Sequence, residues 1–166
     1  MKALFIGGIK SGKSKNAELY ALAISQDKPY YLATTEFFDE EMKRKISLHK
    51  VQREDNFITL EEGVDLVYEL TNLSPNKTVL VECVSMWINN MLFHKRSEAE
   101  MIEQIKQIFA LDLNLVFVLN DVGCAVVSEN KLVRDFVDIS GRISQLLATQ
   151  CDEVFQITAG IRVKIK

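Results

Sequence analysis

The hydrophobic residues of this 166-residue chain fall into short runs that alternate with segments whose apolar positions recur at helical spacing. The runs predict strands at 3–6, 29–34, 57–60, 78–83, 113–119 and 153–158. The intervening segments predict helices at 14–25, 38–50, 63–72, 86–94, 98–110 and 130–149. Strands that alternate with helices favour an α/β fold with a mostly parallel sheet flanked by helices.

The last predicted strand is an exception, because only Ala159 and Gly160 separate it from a further apolar segment at 161–165. Two residues cannot form the crossover that parallel neighbours need, so this segment is predicted to pair antiparallel, as a hairpin arm. No internal repeat or linker interrupts the pattern, and the length suits one core. We therefore predict a single nucleotide-binding domain over residues 1–166.

The sequence GGIKSGKS stands directly after the first predicted strand and before the first predicted helix. It has the G-x-x-x-x-G-K-S pattern of a phosphate-binding loop, in the strand–loop–helix context that the motif requires. Glycines let the backbone approach the phosphates, and the loop amides and the positive helix end then face the anion. Lys13 is expected to reach the β- and γ-phosphates, and the Ser14 hydroxyl to bind Mg²⁺. The predicted phosphate-binding residues are Gly7, Gly8, Ile9, Lys10, Ser11, Gly12, Lys13 and Ser14.

A second metal ligand is expected at the carboxyl end of a neighbouring strand. Glu82 follows the run Val-Leu-Val, so it should emerge where that strand leaves the buried part of the sheet. The alternative is a solvated strand end that binds nothing. Asp121 is a weaker candidate of the same kind. The stretch 120–123 lacks the lysine of the N-K-x-D guanine-binding sequence, which argues against a GTPase of the switch type.

One histidine lies on the apolar face of the predicted helix 38–50, which also carries Phe38, Met42 and Ile46. His49 is either a core histidine with a satisfied hydrogen bond or a nucleophile that attacks phosphorus and forms a phosphoramidate. Neighbouring cations would keep its imidazole neutral and stabilise charge on nucleotide phosphates. These cations are Lys45, Lys50 and Arg53.

Composition narrows the class of protein. The chain is 48% hydrophobic and 26% charged with a net charge of −3, which argues against a general nucleic-acid binder. No apolar run reaches the ~18 residues of a membrane helix, and the first strand begins too early for a signal peptide, so a cytoplasmic protein is expected. Two histidines are too few for a His-rich metal site. The three separated cysteines, Cys83, Cys124 and Cys151, are predicted to be buried thiols.

Several stretches together resemble one family, the bifunctional adenosylcobinamide kinase / adenosylcobinamide-phosphate guanylyltransferases of cobalamin biosynthesis. They are GGIKSGKSKNAE, YLATT, DEEMKRKISLHK, VLVECVSMWINNMLF, NDVGCAVVSENKLVRDFVDISGRISQLLA and DEVFQITAGIRVKIK, in this order. The resemblance implies a P-loop fold of the RecA-like branch and a homotrimer. It also implies two reactions: phosphorylation of adenosylcobinamide by ATP or GTP, and transfer of GMP from GTP onto the resulting phosphate.

The resemblance also implies roles for individual residues. His49 matches the histidine that carries GMP covalently, and residues 7–14 match the phosphate loop that contains the predicted catalytic Lys13. Glu61 and Glu82 match two carboxylates of the nucleotide site, while Ser14 and Glu82 remain the Mg²⁺ ligands predicted above. The other nucleotide contacts that it implies are Ala33, Thr34, Thr35, Lys50, Arg53, Glu61 and Glu82.

The chain departs from the family at two places: Asp121 stands where many members have Glu, and the loop around His49 differs. Members often have H-H-K-D-G-R-P where residues 48–54 read LHKVQRE, so the Gly, Pro and Asp of that loop are missing. Two alternatives remain from the sequence: a small-molecule P-loop kinase without guanylyl transfer, and a non-catalytic nucleotide-binding regulator.

Overall fold

The computed structural model describes residues 1–36, 55–124 and 127–166. Across these ranges seven strands form one sheet in the order β3-β2-β4-β5-β1-β6-β7. The strands are β1 (Lys2–Gly7), β2 (Tyr30–Ala33), β3 (Ile58–Glu61), β4 (Thr78–Glu82), β5 (Asn114–Asn120), β6 (Glu153–Thr158) and β7 (Ile161–Lys164). The helices are α1 (Lys13–Ile24), α2 (Leu66–Thr71), α3 (Val84–Phe93), α4 (Glu98–Ala110) and α5 (Lys131–Gln150).

The sheet confirms the predicted fold class. Strand pairs are parallel from β3 to β6, and only β6 and β7 run antiparallel, with Thr158 opposite Ile161. The predicted helix at 38–50 lies outside the described residues. None of the helices in the described ranges is long and apolar enough to cross a membrane.

The core has one layer on each face of the sheet, because the central strands are buried on both sides. Along β4, Val79 and Val81 pack in a cluster with helices α2 to α5, whereas Leu80 packs in a second cluster with Ala17 and Ala21 of α1. A continuous apolar run is the pattern expected of a central parallel strand. Among the described residues, helices therefore cover both faces of the sheet.

The strand register gathers the candidate residues at one edge of the sheet. Ala33 at the end of β2 lies opposite Glu61 of β3 and Glu82 of β4. Gly7 at the end of β1 lies opposite Asn120 of β5. Ligands in open parallel sheets bind outside these carboxyl ends.

Candidate active site

The predicted phosphate-binding loop connects β1 to α1 as expected. Gly12 has φ 91° and Lys10 has φ 57°, so both lie in the left-handed region that this tight turn requires. Gly12 also occupies the position before α1 and supplies no side-chain cap, and the first turn has no acidic residue. The first amides of α1 have no partner within the helix and lie at its positive end, which is an anion-binding arrangement.

The Lys13 side chain folds back over the loop. Its Nζ donates a hydrogen bond to the Gly8 carbonyl at 3.1 Å, and the residue is only 6% exposed. A largely buried ammonium group places a fixed positive charge inside the turn. Phosphate oxygens in the loop would meet this charge at short range, where water screens it little.

The Ser14 hydroxyl donates a hydrogen bond to Glu82 Oε1 at 2.9 Å. Helix α1 carries the serine and β4 carries the carboxylate, so the contact joins two elements that are 68 residues apart in sequence. A hydroxyl oxygen and a carboxylate oxygen are the donors that Mg²⁺ prefers, with phosphate oxygens and water completing its shell. The pair therefore fits a Mg²⁺ site. In the ranges that the structure describes, no cluster of three or more His, Cys, Asp or Glu residues offers another metal site.

The turn between β6 and β7 packs against the phosphate-binding loop, a contact that the sequence does not predict. The Gly160 N–H donates to the Ser11 carbonyl at 2.7 Å. Asn16 Nδ2 donates to the carbonyls of Gly12 at 3.0 Å and Gly160 at 3.4 Å. The two-residue link predicted the hairpin but gave no signal of its contact with the loop. The C-terminal hairpin thus holds the phosphate-binding loop in place through hydrogen bonds.

The four residues predicted to contact the nucleotide at the ends of β2 and β3 differ in exposure. Ala33 and Thr35 are half-buried at the carboxyl edge, and Glu61 is exposed beside them. Thr34 is fully buried, and its hydroxyl is hydrogen-bonded to the backbone of Cys83. In this geometry the Thr34 side chain faces the interior and not the open edge.

Asp121 lies next to the loop, but its carboxylate has a local partner. Its N–H donates to the Gly7 carbonyl at 2.9 Å, which holds the end of β5 against β1. Its Oδ1 accepts a hydrogen bond from the Gly123 N–H at 3.3 Å. Glu82, which contacts Ser14 directly, is the better placed of the two candidate carboxylates.

The cysteines are buried in two cases out of three. Burial, with the nearby Glu82 carboxylate, raises the pKa of Cys83 to about 12, and burial raises the pKa of Cys151 to about 12. Burial thus favours the protonated thiol at both positions, which suits a packing role better than a nucleophilic one. The prediction of a buried thiol is wrong for Cys124, which is exposed in the loop after β5.

His49, Lys50 and Arg53 lie outside the described residues. The chain leads into that segment at Glu36, whose carboxylate contacts His94 Nε2 at 2.9 Å. His94 follows α3, the helix that begins directly after Glu82 and Cys83. Glu36, the last described residue before the segment, thus contacts the end of the helix that follows the candidate metal ligand.

A glycine-rich turn with uncapped amides, a buried lysine and a serine–carboxylate pair define a P-loop nucleotide-binding protein. Two solved structures share the fold. A KaiC-like protein of Pyrococcus horikoshii matches 93% of this chain and 69% of its own, with a TM-score of 0.53 and 12% identity. The flagellar accessory protein FlaH of Methanocaldococcus jannaschii matches 99% of this chain and 77% of its own, with a TM-score of 0.52 and 13% identity.

Sequence comparison places the chain more narrowly. The pattern of the cobinamide kinase / cobinamide phosphate guanyltransferase family matches residues 3–165, and the chain belongs to this family of bifunctional enzymes. It is 34% identical over its whole length to the bifunctional adenosylcobalamin biosynthesis protein CobU of Escherichia coli, and 35% identical to that of Salmonella typhimurium. It is 32% identical to the bifunctional adenosylcobalamin biosynthesis protein CobP of Pseudomonas aeruginosa, and covers 98% of it.

Proposed function

We propose that one nucleotide site at the carboxyl edge of the sheet performs both family reactions on adenosylcobinamide. The enzyme first phosphorylates its aminopropanol hydroxyl with ATP or GTP, and then transfers GMP from GTP to that phosphate. The observation that carries the proposal is the Ser14–Glu82 contact beneath the phosphate-binding loop, in a chain that the family matches from residue 3 to 165.

The loop would bind the triphosphate. Amides of the loop and of the first turn of α1 face the phosphates, and Lys13 turns from the Gly8 carbonyl toward the β- and γ-oxygens. Ser14 and Glu82 would hold Mg²⁺, which when bound would supply positive charge next to the phosphates. These contacts stabilise charge that develops on the leaving group in either reaction.

In the kinase step the substrate hydroxyl oxygen forms a bond to the γ-phosphorus. The bond from that phosphorus to the bridging oxygen breaks, ADP or GDP leaves, and the hydroxyl proton is released. Lys13 and the loop amides hold the phosphates in line for this displacement.

In the guanylyl step an imidazole nitrogen of His49 forms a bond to the α-phosphorus of GTP, and pyrophosphate leaves. A phosphate oxygen of adenosylcobinamide phosphate then displaces the nitrogen and yields adenosylcobinamide-GDP. We assign Lys50 and Arg53 to the same nucleotide, with Ala33, Thr35 and Glu61 at the end of the sheet near its base or ribose. Residues 37–54 lie outside the described residues. The roles of His49, Lys50 and Arg53 are therefore supported by family membership and not by observed contacts.

We further propose that the protein assembles as a homotrimer, so that the segment with His49 can act near a subunit contact. The reactions would take place in the cytoplasm, where ATP and GTP are available. Light scattering of the purified chain would give a mass near three times 18.9 kDa, and a monomer mass would reject the trimer.

The test uses GTP labelled at the α- or the γ-phosphorus, with adenosylcobinamide and Mg²⁺. The proposal predicts γ-label in adenosylcobinamide phosphate and α-label in adenosylcobinamide-GDP. A simple kinase would transfer γ-label and never α-label. A non-catalytic regulator would bind the nucleotide and transfer neither.

The covalent intermediate has its own test. With α-labelled GTP and Mg²⁺ alone, label should remain on the denatured protein in alkali and leave in acid, as a phosphoramidate does. His49→Ala should carry no label. His94→Ala is the matched control, because His94 is the other of the chain's two histidines, and it should be labelled like the wild type. Equal labelling of His49→Ala and the wild type would reject the role of His49.

A further inference from the structure

Thr34 makes three hydrogen bonds to the end of β4. Its N–H donates to the Glu82 carbonyl at 3.1 Å. Its hydroxyl donates to the Cys83 carbonyl at 2.8 Å and accepts from the Cys83 N–H at 2.8 Å. A hydroxyl has a single hydrogen to donate, so this side chain has no donor left for a phosphate. The Thr34 side chain, predicted to contact the nucleotide, is instead hydrogen-bonded to the backbone beside Glu82.

Asn90 holds Thr34 from the other side. It lies on α3, is fully buried, and its Nδ2 donates to the Thr34 carbonyl at 2.6 Å and to the Gly63 carbonyl at 2.9 Å. Gly63 has no room for a side chain here, since an added Cβ would lie 2.9 Å from Asn90 Nδ2. One buried amide therefore ties the loops after β2 and β3 to the helix that follows Glu82.

The chain of contacts ends at the candidate metal site. Cys83 is the residue next to Glu82, and Glu82 Oε1 accepts the Ser14 hydrogen bond at 2.9 Å. The regular pairing of β4 with β2 ends at Ala33 and Glu82. Beyond that point Thr34 holds the Cys83 backbone by both its N–H and its carbonyl. Because the regular pairing of β4 with β2 ends at Glu82, a displacement of the Cys83 backbone would also displace the Glu82 carboxylate.

We propose that Thr34 and Asn90 are positioning residues that fix the Glu82 carboxylate for Mg²⁺ and thereby set the metal dependence of both transfers. Neither residue needs to touch the nucleotide for this role. The inference rests on the proposed function insofar as it takes Glu82 as the metal ligand. The loss of a residue that orients a metal ligand typically reduces metal affinity or activity by about 10- to 100-fold.

The test compares three variants of the full chain. Thr34→Val keeps the shape of the side chain and removes the hydroxyl, and Thr34→Ser keeps the hydroxyl. Thr78→Val is the matched control: Thr78 is buried at the opposite end of β4, and its hydroxyl has no hydrogen-bond partner among the residues that the structure describes. Calorimetry gives the GTP affinity with Mg²⁺ and with a chelator, and the ratio of the two affinities measures the metal's contribution.

Thr34→Val should lower this ratio, and kcat for both transfers, by about 10-fold or more. In Thr34→Ser and Thr78→Val, the affinity ratio and both kcat values should stay within about 3-fold of the wild type, well below the loss expected when a positioning contact is removed. A wild-type ratio in Thr34→Val would overturn the inference, even if both transfers occur as proposed. If the wild type binds GTP with Mg²⁺ but transfers no label to the corrinoid, the proposed function fails and the ratio still decides the inference.

A double variant separates positioning from a merely structural role. If Thr34 acts through Glu82, then adding Thr34→Val to Glu82→Gln should cause no further loss of metal-dependent affinity, because effects through one group are not additive. A full additional loss would overturn the inference. Urea unfolding checks that each variant is folded, and Thr34→Cys, which keeps a weak donor, replaces Thr34→Val if that variant does not fold.

Discussion

Gly7→Ala tests how closely the phosphate-binding loop depends on β6. An added Cβ at Gly7 would lie 2.4 Å from the Ile157 carbonyl oxygen and 2.7 Å from Ser11 Oγ. The first distance is 0.6 Å below the 3.0 Å that real Cβ atoms essentially never undercut, and 1.0 Å below the 3.4 Å at which ordinary contact begins. Since the Ile157 carbonyl is backbone and not a flexible side chain, the end of β6 or the loop must move by about 0.6 to 1.0 Å to admit the new Cβ.

Two magnitudes follow from that displacement. Overpacking in a close-packed region typically costs about 1–3 kcal/mol of unfolding free energy. A misplacement of about 1 Å in a catalytic site can cost on the order of 100-fold in rate. We therefore expect both effects in Gly7→Ala, because Gly7 is at once the end of β1 and the start of the loop.

The assay is urea unfolding together with γ- and α-transfer rates, with two controls. At Gly8 an added Cβ meets nothing within 4 Å, so Gly8→Ala should leave the unfolding free energy close to that of the wild type. At Gly141, in the exposed part of α5, the space is equally open, and Gly141→Ala should raise stability by about 0.5–1 kcal/mol with unchanged transfer rates. Wild-type stability and rates in Gly7→Ala would refute the reasoning.

Two further predictions concern other contacts. Tyr20 donates its phenolic hydrogen to Glu153, and hydrogen bonds from Lys164 and Tyr20 hold the pKa of that carboxyl below its usual 4.5. A group with a lowered pKa stabilises the fold above its unfolded pKa and loses that effect as the pH falls through its folded pKa. Tyr20→Phe should thus lower the free energy of unfolding by about 1 kcal/mol at pH 7. In urea unfolding, the difference in this free energy between the variant and the wild type should shrink below pH 4.5. A difference that stays constant with pH would contradict this. Asn16→Ala removes the hydrogen bonds to the Gly12 and Gly160 carbonyls. GTP affinity measured by calorimetry should fall by a factor on the order of 10, which corresponds to about 1.4 kcal/mol. Wild-type affinity in this variant would show that the contact between hairpin and loop does not support nucleotide binding.

The fold was largely predictable because its signals are local. Continuous apolar runs mark the strands that are buried on both faces, and a two-residue link forces the final hairpin. The limits of α2 and α3 were less predictable. Helix α2 begins at Leu66 because the Asp65 side chain accepts from the Tyr68 N–H at 3.1 Å, and α3 begins at Val84 directly after the Cys83 N-cap.

The candidate site was predictable only in part. The loop motif indicated Ser14, the strand end indicated Glu82, and the two side chains are in contact; their binding of Mg²⁺ stays a prediction. Sequence spacing could not show that Thr34 turns toward Cys83 or that Gly160 contacts Ser11, because these contacts join residues that are far apart in the chain. Polar residues of one type look alike in a sequence, whether they face a ligand or a backbone group.

The central claim is that a single metal-dependent nucleotide site serves both transfers. It is tested most directly by measuring γ-transfer and α-transfer in Glu82→Gln, with the exposed Glu103→Gln on α4 as the control. Both rates in Glu82→Gln should fall together, by about 10-fold or more, while Glu103→Gln should match the wild type. If either transfer continues at the wild-type rate in Glu82→Gln, the two reactions do not share this site.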